Sequence, residues 1–499
     1  MRNAMRNVLP VLAGLSIVVS LVASLFAGEK VNELSQYGIT WKFEKPVESG
    51  KFVNGDWWVI GPVNIVSVTP APGPGNDSGA TEKKNPYGAS MLKDDNRMRN
   101  GSMVVLKPAD EQGYDSRGLN YSPEKSMKFP YVLETDRSLI STESNKTLPN
   151  NNFCYKLMWK AEQTSGNALK TAAVLTCLKE VPPEDAFRPA YSGTEKKIYR
   201  AKDLHFEKLL KLEPAGTVPS WEDYNRYFQR AWLDHATTDN WTFDYVAPVE
   251  NQPQYSRESS RIVSIASLLL NLNVPDEQKK TLLIELVQLG IDLRKLCELG
   301  VQWRAEGGFG YARKWPILFA GIMLGDEELQ KLPGTAIFGE DQTTYYGKGS
   351  YGQTVLWQMV WWGGPALPHE EKAPEQWTKG KKHSDEQSEV YRVCCSGPSW
   401  IGTALAARLM KAMKVWGHDA FFDYCDRWMT KDDPYKSARG KNARPSQEGK
   451  AIDAWVDAMW SAYRNKAPEQ AGAEKNLKWV WDAGATYQKP AGKWVTNNK

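Results

Sequence analysis

Three short segments of the chain carry the residue types that do chemistry: Asn251–Arg261 (NQPQYSRESSR), Glu306–Pro316 (EGGFGYARKWP) and Tyr391–Ser396 (YRVCCS). Each sets Arg, Tyr or Lys beside Gly or Pro at the start of an apolar run with helical spacing, where a rigid scaffold presents polar groups to a ligand. In Gly307–Pro316 the glycines permit tight or left-handed backbone and Pro316 suits a first helical turn, which puts Arg313 and Lys314 at a helix N-terminus, an expected anion subsite. Tyr255 and Arg257 open the next candidate helix, with Arg261 one turn beyond, and Asn251 and Gln254 lie just upstream as neutral amide donors. Arg257, Arg304, Arg313, Lys314 and Arg392 are the groups that would pair with carboxylates, and Tyr391 adjoins the last of them.

Tyr255, beside the cation Arg257, is a candidate for proton transfer. The segment Gly339–Gly347 (GEDQTTYYG) adds Glu340 and Asp341, which suit either a carboxylate pair of a hydrolase or a helix cap paired with Arg. Cys394 and Cys395 lack the local sequence of a nucleophile elbow and read as a small-residue helix start; His418 and Asp419 read as the opening of a helix. With 21 Trp and 21 Tyr against 14 Phe, the aromatic set favours rings with a polar handle, and Trp303, Trp315, Trp361 and Trp362 are the candidate sugar-stacking platforms, with core packing as the competing reading. Five histidines without an HExxH pair and six cysteines without a CxxC pair give no metal site.

The elements that must position these residues change type along the chain. From Tyr37 to about Leu178 the pattern is β-type: Ile39, Trp41 and Phe43 alternate, and Trp57–Thr69, Met103–Leu106 and Ala172–Leu178 read as strands of a β-sandwich-like module. Pro182–Pro189 punctuates the chain, and after Trp221 the period becomes helical, as in Ile262, Ile265, Ala266 and Leu269, Leu282 to Leu289, Ala404–Trp416 closed by Gly417, the Phe421 run, and Ile452, Trp455, Met459 and Tyr463. The expected division is residues 1–27 as a signal peptide, 28–195 as the β module and 196–499 as a helical domain, a bundle or an (α/α) toroid, with a polar loop at Lys431–Lys450 and a fraying end after Gln488. The expected class is therefore mostly α with an N-terminal β module.

A chain of 499 residues with 41% hydrophobic content is too long for one small core and too apolar for disorder. Arg2 and Arg6, the apolar run Val8–Ala27 and small residues up to Gly28 read as an export signal, with an uncleaved N-terminal anchor as the minor alternative; the expected location is periplasmic or secreted. Without residues 1–27 two of the four net positive charges are gone, so no field for nucleic acid or a membrane surface remains.

The patterns Asn251–Val263 (NQPQYSRESSRIV), Gly307–Gly321 (GGFGYARKWPILFAG), the doubled Cys after Tyr391-Arg392, and His418–Met429 (HDAFFDYCDRWM) resemble exported bacterial alginate and glucuronan lyases of the polysaccharide lyase family 38 type. The resemblance covers about Trp221 to Met429 and implies an (α/α) toroid that cleaves a uronate polymer by β-elimination without a cofactor. Such chemistry neutralises a carboxylate, removes the C5 proton and protonates the departing O4. On that basis Asn251, Gln254 and Arg313 are expected to neutralise the uronate, Tyr255, Tyr345, Tyr346 or His235 to move protons, and Arg257, Trp303, Arg304, Lys314, Trp315, Asp341, Tyr391 and Arg392 to line the substrate. Two positions depart from the family pattern: Phe309 stands where a His is expected, and Gln358 lies in the stretch where an Arg and a Tyr are expected. The alternative is a catalytically silent protein that binds an acidic polysaccharide on the same scaffold.

Overall fold

A computed structural model describes residues 29–74, 98–109, 111–118, 120–145, 153–154, 168–236, 246–253, 255–305, 308–346, 355–357, 396–429, 449–467, 477–481 and 492–496. The expected export segment, Gln254, Trp361, Trp362, Tyr391, Arg392 and Cys394–Cys395 lie outside them, as does nearly all of the expected polar loop at Lys431–Lys450. Among the described residues no helix is long and apolar enough to cross a membrane.

Alternation of apolar and charged residues builds the first half. In β2 (Ile39–Lys51), which pairs with β1 (Glu29–Gln36), Ile39, Trp41 and Phe43 point inward while Lys42 and Glu44 face solvent. β3 (Trp57–Ile60) and β4 (Val63–Thr69) follow, then short β5 (Gly73–Pro74), β6 (Met98–Arg99) and β7 (Ser102–Val104), and β8 (Tyr131–Leu133), β9 (Arg137–Ser144) and β10 (Leu169–Leu178). The main sheet runs β7-β9-β10-β3-β2-β4-β8 with β1 on β2, and it is mixed, because β10 pairs in parallel with β3. It curls as a half-barrel.

The middle of this sheet is covered on both faces. Leu139, Ala173, Leu175 and Cys177 fill the half-barrel with Trp41 and Ile65, whereas Ile140, Ala172 and Val174 belong to the core shared with the helices. That double burial explains why every residue of β10 except Lys170 is buried. It also corrects the expected sandwich: helices, not a second sheet, cover the other face.

The second half begins with α1 (Trp221–Phe228), whose N-cap Ser220 accepts from the Asp223 amide. Next come α2 (Ser256–Leu270), α3 (Asp276–Glu298), α4 (Lys314–Met323), α5 (Glu327–Gln330) and α6 (Gly339–Thr343). After the hairpin of β11 (Thr344–Tyr346) and β12 (Val355–Trp357) follow α7 (Gly397–Leu409), α8 (Met413–Trp416), α9 (Asp419–Met429) and α10 (Ala454–Tyr463). Every residue of α2 except Arg261 is buried, so this helix is the axis of the helical half. The run expected as one helix over Ala404–Trp416 is broken where Lys411 adopts φ +58°, and Gly417, at φ +72°, caps the second piece as its sequence predicts.

The fold class differs from the expectation of a mostly α toroid with a separate sandwich: the chain is 37% helix and 23% strand, and its mixed sheet forms a half-barrel. The expected frayed end is also corrected, since β13 (Leu477–Trp481) pairs with β14 (Gly492–Thr496).

Arg188 bolts the two halves together. Fully buried, it donates from Nε to Asp56 at 2.6 Å, beside the sheet, and through both terminal nitrogens to Asp292 of α3 at 2.9 and 2.5 Å. Burial raises the Glu285 carboxyl nearby well above its ordinary value. Removing the cation leaves two buried carboxylates uncompensated. Arg188→Met is therefore expected to lower unfolding stability by about 3–5 kcal/mol in urea titration.

Candidate functional site

Sequence segments far apart meet at one end of the helical half, around the loop Gly308–Arg313. Arg313, the N-cap of α4, donates to Ser256 at the start of α2 (3.1 Å). Tyr311 packs edge-on against Trp400 in the first turn of α7, with ring centroids 5.0 Å apart, and Trp400 in turn lies 5.7 Å from Phe421 of α9. The Gly339 amide donates to Gly310 O at 2.9 Å, and the Ala312 amide donates to Glu340 Oε1 at 2.6 Å. The N-terminal turns of α2, α4, α7 and α9 are thus gathered about one loop.

The loop's shape depends on its backbone. Gly310 has φ +79°, and a Cβ there would lie 2.0 Å from Arg304 O, so only glycine fits. Ala312 also adopts the left-handed region, at φ +70°, a strained choice for a residue with a Cβ. Strain of this kind persists where surrounding contacts hold it, here the carboxyl of Glu340.

The anion expected at the α4 N-terminus is supplied by the protein itself. Two cations at a helix N-terminus oppose its dipole, and each is matched by an internal carboxylate. Arg313, 1% exposed, donates from Nε to Asp234 Oδ2 (2.7 Å), from Nη2 to Asp234 Oδ1 (3.3 Å) and from Nη1 to Tyr311 O (2.7 Å). Asp234 also accepts from Trp303 Nε1 (3.0 Å) and Gln252 Nε2 (2.8 Å). Lys314, also buried, bonds Asp341, which accepts in addition from Trp416 Nε1 at 2.9 Å.

The remaining sequence candidates divide by exposure. Trp303 and Trp315 are fully buried, Trp303 stacked on Phe338 and Trp315 donating to Ser267 (2.8 Å); both are core residues, not platforms. His235 is sealed between Tyr114 (3.0 Å from Nε2) and Tyr191 (3.5 Å from Nδ1). Asn251 is buried and donates to Arg230 O. Arg257 is buried against Glu258, whose carboxyl is raised by burial and whose Oε2 has no hydrogen-bond partner. Arg261 turns away to Asp453 (2.9 Å). Tyr345 is 7% exposed, and the half-buried Tyr346 donates to Asp423 of α9.

Near the loop the side chains of Tyr255 and Arg304 are partly exposed, while Phe309, which packs against Tyr255, is buried. Tyr255 is half-buried, its ring edge-on to Phe309 at 4.8 Å, with the Arg257 guanidinium 5.6 Å from the Tyr255 centroid. Arg304 is half-buried too and is oriented by Gln302 (3.0 and 3.1 Å).

One further member was not named as functional at the level of sequence. Asp234 is separated from Arg313 by 79 positions, and nothing local marks it as the counter-ion. Glu340 was expected as a cap or a hydrolase carboxylate; burial pushes its carboxyl up to about 7, and Oε2 has no hydrogen-bond partner. His418 bonds Thr344 through Nε2 and is lowered by burial. Among the described residues no group of His, Cys, Asp or Glu is placed to hold a metal ion.

Comparison of the chain with protein-family models, with curated proteins and with solved structures returns no match.

Two outcomes follow from this geometry. Arg313→Ala is expected to destabilise the fold by about 3–5 kcal/mol, and the Asp234→Ala/Arg313→Ala double variant to lose less than the two single losses combined, as read by urea unfolding. Burial lowers His235 to about 4, below its ordinary 6.5. The native state therefore binds this proton more weakly than the unfolded chain, so stability present above pH 6.5 is lost as pH falls toward 4, by up to about 3 kcal/mol. His235→Asn removes that part of the slope in unfolding measured from pH 4 to 7.

Proposed function

We propose that this is an exported protein that binds an acidic, uronate-containing polysaccharide at a rim formed by the partly exposed side chains of Tyr255 and Arg304. The observation that carries the reading is the partly exposed Tyr255 ring at the start of α2, with the Arg257 guanidinium 5.6 Å from its centroid and the N-terminus of α4 tied to the same turn through Arg313 and Ser256. Backbone N–H dipoles favour a carboxylate there, and an aromatic face with a neighbouring Arg suits a sugar ring. The binding reading is favoured over catalysis because Arg313, expected to neutralise the uronate, and His235, expected to move protons, are buried and engaged inside the protein, as is the expected substrate contact Lys314.

A second reading, β-elimination of the same polymer, is favoured by one observation: Glu340 is a buried carboxyl poised near neutrality, as acid–base groups are.

Mixing the protein with alginate, glucuronan and pectate separates the two. Retention on immobilised glycan without a rise in unsaturated-uronate absorbance is the expected result, with retention weakened about tenfold or more by Tyr255→Ala and by Arg304→Ala. A rise in absorbance that disappears in Tyr255→Phe would overturn the silent reading in favour of elimination. Absence of both binding and absorbance would remove the glycan assignment.

A further inference from the structure

We propose that Glu340 is a positioning residue that fastens the Gly308–Arg313 loop while its carboxyl is protonated and loosens it on ionisation. The geometry is a clasp. Oε1 accepts the amide of Ala312, the residue held at φ +70°, so this single bond joins α6 to the strained point of the loop that separates the helix N-termini. Burial opposes a negative charge on the carboxyl more strongly than the Glu340 and Ala312 amides favour it, and Oε2 is buried with no hydrogen-bond partner, so charge there is solvated only if the loop moves and admits water.

The groups that face it do not remove that constraint. From α4 comes Lys314, already bonded to Asp341 of α6, which also takes the Trp416 indole. From the α9 side come His418, whose Nε2 is engaged with Thr344, and the Cys425 thiol, which burial pushes up. Asp341 opposes ionisation of Glu340 and Lys314 favours it, and both effects are smaller than that of burial. The clasp regulates the loop beneath the proposed glycan rim, yet it operates whether or not a glycan binds.

The sign is fixed by linkage. The closed loop holds the proton more tightly than the open one, so protection is greatest below the ordinary carboxyl value of 4.5 and falls as pH rises toward about 7, levelling above it.

Hydrogen exchange of the Ala312 amide, corrected for intrinsic rate and measured from pH 5 to 8, tests this. In the wild type the protection factor is expected to drop about tenfold per pH unit up to about pH 7 and then level. Glu340→Gln, which keeps an acceptor for the amide but carries no charge, is expected to remain protected and flat, and Glu340→Ala to be poorly protected throughout. A wild-type profile without a pH slope overturns the clasp. The same slope persisting in Glu340→Gln would assign the titration to another group, His418 first, and would also overturn it. Because exchange is read without glycan, failure here is distinct from failure of the binding assay.

Discussion

The ion pair of Arg313 and Asp234 is the contact on which the candidate site depends. One guanidinium ties the loop before α4 to the start of α2 through Ser256, to its own backbone through Tyr311 O, and to the segment after α1 through Asp234. Asp234 in turn fixes the Trp303 indole and the Gln252 amide, so four stretches of chain share one buried network. A desolvated pair of this kind adds little net stability compared with apolar packing, but with one partner removed the other is left charged in the core. The arrangement therefore selects one packing of the loop and penalises the rest.

A second buried cation does the same for the two halves of the chain. Arg188 spans Asp56 and Asp292, and the helical core continues onto β9 and β10 through Ile140, Ala172 and Val174. The half-barrel is consequently one wall of the helical half.

Much of this was legible locally. Alternation at Ile39, Trp41 and Phe43, the 3.6-residue stripe of α2, the αL cap at Gly417 and the φ-positive Gly310 all depend on neighbours in sequence, and each is found where the pattern places it. The class failed because an apolar run such as Ala172–Leu178 says that a strand is covered on two faces, not by what. The anion subsite failed for a related reason. Arg313 and Lys314 at a helix start look like ligand groups until their counter-ions are known, and Asp234 lies 79 residues away while Asp341 lies 27 away. Trp303 and Trp315 carried the same ambiguity, since an indole that stacks on a sugar and one that fills a core have the same sequence signature.

Internal neutralisation changes what kind of recognition the site can perform. With Arg313 and Lys314 matched by Asp234 and Asp341, their long-range fields largely cancel, and the potential at the mouth is left to the helix termini, each equivalent to about half a charge, and to the half-exposed Arg304. Such a field is short in range and directional, which in the proposed glycan-binding reading would favour a carboxylate already aligned by stacking on Tyr255 over a diffuse polyanion held by charge density alone. Affinity then depends on how accurately the N-terminal turns are aimed, and their aim is set by the loop that Gly310, Ala312 and Arg313 shape. Control of the loop by a single carboxyl is thus control of the field itself.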